Sequence, residues 1–204
     1  MIDRLARWRE PVAGAVLPQL PGSAAAALAL ARSGKDVLLH LPMEPRGAPS
    51  ARPGPGVVLV SQSDAEIRAT LAADLDSVPR ASGVNNHMGS LATADRRVMR
   101  VVAGELARRR LFFVDSRTTD QTVAAETAAE AGVPCASRRV FLDDVQTERA
   151  IEGALDDLVA KAKAEGAAIA IGHPHPATLA VLERELPRIA KRGVRLVRIS
   201  ELVK

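Results

Sequence analysis

Aromatic side chains are nearly missing from this 204-residue chain: three Phe, one Trp and no Tyr amount to 2% of it. Without them there is no platform for stacking the bases of a single strand, which argues against single-stranded nucleic-acid binding. Cysteine is as scarce. Cys135 stands alone, so no disulfide forms within the chain, and its setting in "GVPCAS" reads as a small core residue rather than a nucleophile. No apolar run approaches the length of a membrane span. The start, "MIDRLARWRE", is amphipathic and charged, unlike a signal peptide. A glycine-rich phosphate loop, a CxxC pair, a GxSxG elbow and a short fixed repeat are missing as well.

What is present is a globular composition, 47% hydrophobic and 25% charged, enough for one domain spanning residues 1–204. The net charge is +4. Its basic residues fall in clusters such as Arg96-Arg97, Arg108-Arg109-Arg110 and Arg138-Arg139, with acids interspersed. That pattern reads as solvated faces and helix ends, not a nucleic-acid surface.

Short apolar stretches alternate with helical ones. Strands are expected at Val12–Pro18, at "KDVLLHLP" ending on Pro42, and at "VVLV", "GVNN", "LFFV", "VPC", "RRVFL", "AIAI" and "VRLVRIS". Helices are expected between them: from Ser23 as N-cap to Gly34, from the Ser63/Glu66 capping box, along "TADRRVMRVVAGELARRR", along "QTVAAETAAEAG", from Thr147 to Glu165, and from Pro176 to Arg192. Pro42 to Gly56, with five prolines and three glycines, reads as a long loop. Continuous apolar strands alternating with helices imply an α/β fold with a parallel sheet. About seven such units suit a β/α barrel; a doubly wound open sheet is the alternative. In both, function gathers at the carboxyl ends of the strands.

All four histidines fall at such ends. His40 ends "VLLH", His87 follows "GVNN", and His173 and His175 follow "AIAIG". Asp115 ends "LFFVD", and Asp143 and Asp144 end "VFLDD". Singly, each has a structural reading: a satisfied turn histidine, or an aspartate capping the next helix. Together, imidazole and carboxylate are a ligand set for zinc-like ions and an acid–base set near neutral pH. His40 and Glu44 are four apart on a strand-to-loop turn, within reach of one ion. Asn85 and Asn86 offer donors to a polar substrate. In "AIAIGHPHP", Pro174 and Pro176 restrict both preceding imidazoles before any ligand arrives.

The motifs "LLHLPMEP", "NNHMGS", "FFVDSRT", "VFLDD" and "IGHPHP", in this order from about Leu17 to Ile199, resemble the divergent polysaccharide deacetylase family. That family is related to the NodB-like metal-dependent carbohydrate deacetylases and their deformed β/α barrel. The resemblance implies a divalent metal, zinc by preference, with His40, His87 and Glu44 as ligands. It implies Asp115, His173 and His175 as catalytic groups, and Asn86, Ser116 and Arg117 as substrate contacts. It also implies a glycan partner and a place in the periplasm or cell envelope. Glu44 stands where the relatives carry a second histidine. The family usually opens with a strand ending in paired aspartates; here "MIDRLARWRE" reads as the helix after it, so the expected domain lacks its first strand.

Two functions follow from this pattern. One is a metal-dependent hydrolase removing acetyl from an N-acetylated polysaccharide. The other is a non-catalytic carbohydrate-binding or envelope protein on the same fold. A generic β/α domain whose histidines only satisfy turns is the third reading.

Overall fold

The computed structural model describes residues 2–47 and 52–204. Met1 and the centre of the expected Pro42–Gly56 loop, residues 48–51, lie outside the described residues. Helix α1 (Ile2–Ala6) leads into β1 (Gly14–Val16), α2 (Ser23–Arg32), β2 (Val37–Met43), α3 (Asp64–Ser77) and β3 (Gly83–Met88). Then come α4 (Arg96–Arg109), β4 (Phe112–Asp115), α5 (Ala124–Glu130), β5 (Cys135–Ser137), β6 (Val140–Phe141), α6 (Glu148–Glu165), β7 (Ala170–Ile171) and α7 (Pro176–Glu185).

All strand pairs are parallel, in a five-stranded sheet ordered β1-β2-β3-β4-β5 and a separate β6-β7 ladder. Sequential order without a reversal rules out the doubly wound alternative, whose strand order must switch direction. The fold is the deformed β/α barrel. Its main core lies between the sheet and its helices: Leu39 and Leu41 of β2, Val84 of β3 and Phe113 of β4 pack against Leu30, Ile67, Leu71, Val98, Val102 and Leu106. The expected Val98, Val101, Val102 and Leu106 stripe of α4 is buried. Close packing is visible at Gly83, where a Cβ would overlap the Phe112 ring on the neighbouring strand.

Five expectations need correction, each for a local reason. Pro42 does not end β2; its carbonyl accepts from Val58 on the side away from β3, so its missing N–H removes no β2–β3 bond. "VVLV" contributes only the Met43–Val58 bridge, because the Leu59 and Val60 amides donate to the side chains of Gln62 and Glu44. Ser23 is not an N-cap: it opens α2 after Gly22, with its hydroxyl donating to the Leu17 carbonyl. The last helix stops at Glu185 and continues to Arg192 as a 3-10 turn, because Pro187 cannot donate to an α-helical ladder. "VRLVRIS" forms no strand: Val194 and Leu196 pack beside Leu155, Val159 and Ile189, but its backbone joins no ladder.

Much of the charge is paired. Arg96 contacts Glu126 and Glu130, Arg97 contacts Asp64, Arg108 and Arg109 contact Glu105, and Arg139 contacts Glu165. Among the described residues no helix is long and apolar enough to cross a membrane. Cys135 packs against the core, and burial pushes its thiol up to about 12, which removes its thiolate at neutral pH.

One buried acid stands apart. Asp74 on α3 is fully buried, accepts from the Gln19 amide at 2.6 Å through Oδ1, and among the described residues leaves Oδ2 without a partner. A Cβ on Gly56 would overlap this carboxyl group, so backbone closes over it. Burial raises its pKa to about 7, above the unfolded 3.8. The protonated form therefore favours the fold fully below about pH 4, and that contribution is lost as pH rises to 7. Asp74→Asn should match the wild type near pH 4 and exceed it by roughly 2–4 kcal/mol above pH 7 in urea unfolding. A difference independent of pH would contradict a buried, protonated Asp74. By the same unfolding assay, Gly83→Ala should cost about 1–3 kcal/mol through the clash with Phe112.

Candidate functional site

Parallel strands deliver their carboxyl ends to one face, and the polar residues of the chain's most distinctive motifs meet there. In register, His40 of β2 sits beside Asn85 of β3, and Asn85 beside Val114 of β4. Past that point the β3–β4 ladder ends and buried side chains take over. Ser116 N–H donates to Asn86 Oδ1, and Ser116 Oγ donates to the Asn86 carbonyl, both at 2.8 Å. Asn86 Nδ2 donates to the Met88 carbonyl and the Thr118 hydroxyl. Arg138 donates to the carbonyls of Ser116 and Arg117 from the far side. Met88 (φ 54), Gly89 (φ 90) and Arg117 (φ 47) adopt left-handed backbone at these turns.

This network sets the protons on the histidines. The Ser116 hydroxyl hydrogen is committed to a carbonyl, so its oxygen must accept from Asn85 Nδ2, at 3.2 Å. Asn85 Oδ1 then faces His40 Nδ1 at 3.1 Å, which places a proton on that nitrogen. His40 Nε2 is left with a lone pair and lies 3.1 Å from His87 Nδ1. Burial lowers the pKa of His40 to about 3, aided by the neighbouring His87, and burial with the nearby His173 lowers that of His87. Both imidazoles are neutral at physiological pH, the form that binds metals.

The second part of the site lies beyond β6 and β7. Asp143 is buried and accepts from the His173 amide at 2.5 Å and from the Thr178 hydroxyl at 2.9 Å. Its Oδ1 lies 3.3 Å from His173 Nδ1. The His173 side chain is 45% exposed, so the ring is held at its base and open at its tip. His175 begins α7, where Pro176 is the first helical residue. Its ring centroid is 5.7 Å from that of His173.

The remaining expected residues have other partners. The Glu44 carboxylate accepts from the Val60 amide and its carbonyl from Leu91 and Ala92, so it pins loops rather than joining the histidines. Asp115 is buried and accepts from Arg117 N–H and the Thr122 hydroxyl; burial raises its pKa against those bonds. It does not cap a helix, since α5 follows Val123; Asp143 and Asp144 do not cap α6, which Thr147 does. Asn86 and Ser116 are buried and spend their polar groups on each other and on nearby loop atoms, leaving Arg117 the exposed member of that set. The sequence reading named Asp143 as a strand-end carboxylate without assigning it as the partner of His173, and it missed Thr178 behind it. Asp143 carries the same strand-end signal as Asp115; Thr178 carries none.

The donor chemistry fits a divalent ion in two places. Ligand atoms about 2.0–2.1 Å from a tetrahedral zinc stand roughly 3.3–3.4 Å apart. The 3.1 Å between His40 Nε2 and His87 Nδ1 is close to that edge, and an ion there would displace the proton that His87 Nδ1 otherwise donates to His40 Nε2. Among the described residues, the group of three potential ligands within 4.8 Å of one another is Asp143, His173 and His175.

The family model described as divergent polysaccharide deacetylase matches residues 1–203. An uncharacterized protein of Haemophilus influenzae is 36% identical over 188 residues, which cover 92% of this chain and 66% of that protein. The uncharacterized protein YibQ of Escherichia coli K12 is 37% identical over 189 residues, 93% of this chain and 58% of that one. The chain thus spans about three fifths to two thirds of the length of these relatives. The crystal structure of an uncharacterized protein from Agrobacterium tumefaciens C58 superposes with a TM-score of 0.93 at 25% identity, covering 99% of this chain and 82% of that one. The match along almost the whole chain shows that it belongs to the divergent polysaccharide deacetylase family.

Proposed function

We propose that this chain is a metal-dependent hydrolase that removes acetyl groups from an N-acetylated polysaccharide. The observation that carries the reading is the meeting of four imidazoles and buried Asp143, drawn from the ends of β2, β3, β6 and β7. His40 Nε2 and His87 are the residues that would hold the ion, and burial keeps both in the neutral ligand form. A bound divalent ion would supply Lewis acidity toward the amide carbonyl. Asn85 orients His40 through the Ser116 network, so the donor atoms are placed before a ligand arrives. Asp143 holds His173 by its base, leaving the exposed tip to give a proton to the departing amine nitrogen as the C–N bond breaks. Arg117, exposed beside the site, is the residue here suited to a polar glycan.

One observation favours a second reading, glycan binding without turnover. Among the described residues, neither Asp115 nor Asp143 hydrogen-bonds to the His40–His87 pair, so no carboxylate stands ready there as a base.

Release of acetate from an N-acetylated oligosaccharide by the purified chain, with and without added zinc, separates the two. The hydrolase reading expects zinc-dependent acetate release, reduced about a hundredfold or more in kcat/KM by His173→Ala. His40→Ala should abolish the zinc dependence. Saturable glycan binding with no acetate released would overturn the hydrolase reading in favour of the binding one.

A further inference from the structure

The geometry points to a second transition-metal site, formed by Asp143, His173 and His175 and separate from the His40–His87 pair. Asp143 and His173 lie 3.3 Å apart, Oδ1 to Nδ1. That is longer than a charge-assisted hydrogen bond, about 2.7–2.9 Å, and matches the roughly 3.3 Å edge between two ligands of a tetrahedral zinc. A ring nitrogen of His175 completes a set whose ligand atoms all lie within 4.8 Å of one another.

The local sequence explains why three ligands converge. His173 and His175 flank Pro174 in a tight turn closed by the His175 amide, which donates to the His173 carbonyl at 2.8 Å, and their ring centroids stand 5.7 Å apart. Pro174 and Pro176 restrict the backbone of each preceding histidine, and His175 is extended at φ −66, ψ 153. Asp143 is fixed independently, since its Oδ2 accepts from the His173 amide and from Thr178 while Oδ1 keeps a free lone pair. A buried carboxylate, two imidazoles and an exposed fourth side suit a borderline ion such as zinc, with a solvent position left open.

The site has a functional consequence that rests on the hydrolase reading: an ion bound here takes the histidine that gives the proton. Excess metal would then inhibit the reaction that a first ion supports. The binding site itself is independent of that reading.

Calorimetric titration of the metal-stripped full chain with zinc chloride tests the site. Wild type should bind two ions. His175→Ala should weaken one of them at least about tenfold and leave the other unchanged, and His40→Ala should do the converse. His175 makes no capping hydrogen bond, so its alanine variant removes a ligand without removing helix support; circular dichroism checks that it folds. A single ion that His175→Ala weakens and His40→Ala does not would support this site and remove the His40–His87 pair from the proposed function. A folded His175→Ala variant that binds zinc as the wild type does, or a wild type that binds none, overturns the site.

Discussion

The buried amide and hydroxyl network of Asn85, Asn86 and Ser116 is the constraint on which the rest of the site depends. Where the β3–β4 ladder stops, backbone groups at the strand ends would otherwise be buried without partners, at a cost of about 1–3 kcal/mol each. The side chains close that gap: Asn86 accepts from the Ser116 amide, and Ser116 donates back to the Asn86 carbonyl. The same bonds leave one orientation for the Asn85 amide and one tautomer for His40. Strand termination, loop geometry and imidazole protonation are therefore one problem with one solution.

Two different environments act on the four histidines. His40 and His87 lie against the sheet, where burial opposes their charge and they remain neutral bases. His173 sits at the rim, with its base on a buried carboxylate and its tip in solvent. One pair is buried and kept from charging, while the other ring is anchored at its base and open at its tip. Such a separation of environments is how a site assigns different roles to chemically identical groups.

The α/β class and the gathering of the candidate residues at strand ends were readable in the sequence because buried parallel strands are short, continuous apolar runs. A residue that ends such a run is thereby placed on the functional face. "VVLV" and "VRLVRIS" carry the same signal yet form no strands. What denies them a ladder is tertiary: Glu44 and Gln62 take the amides of the first, and the second packs only its side chains. The choice between Asp115 and Asp143 was not readable either. Both follow strands, but the β4 end turns Asp115 back to Arg117 and Thr122, whereas Asp143 meets a histidine from β7, thirty residues away. Asn86 and Ser116 look like substrate donors in the sequence and serve as scaffold in the fold, since an amide shows its partners only once strands are paired.

The most direct test of this account is long-range nitrogen–proton NMR of the imidazoles in the metal-stripped chain at pH 6. The network predicts that His40 is neutral there with its proton on Nδ1, and that His87 also carries a hydrogen on Nδ1, donated to His40 Nε2. A His40 ring protonated on Nε2, or one that titrates near its ordinary 6.5, would contradict it.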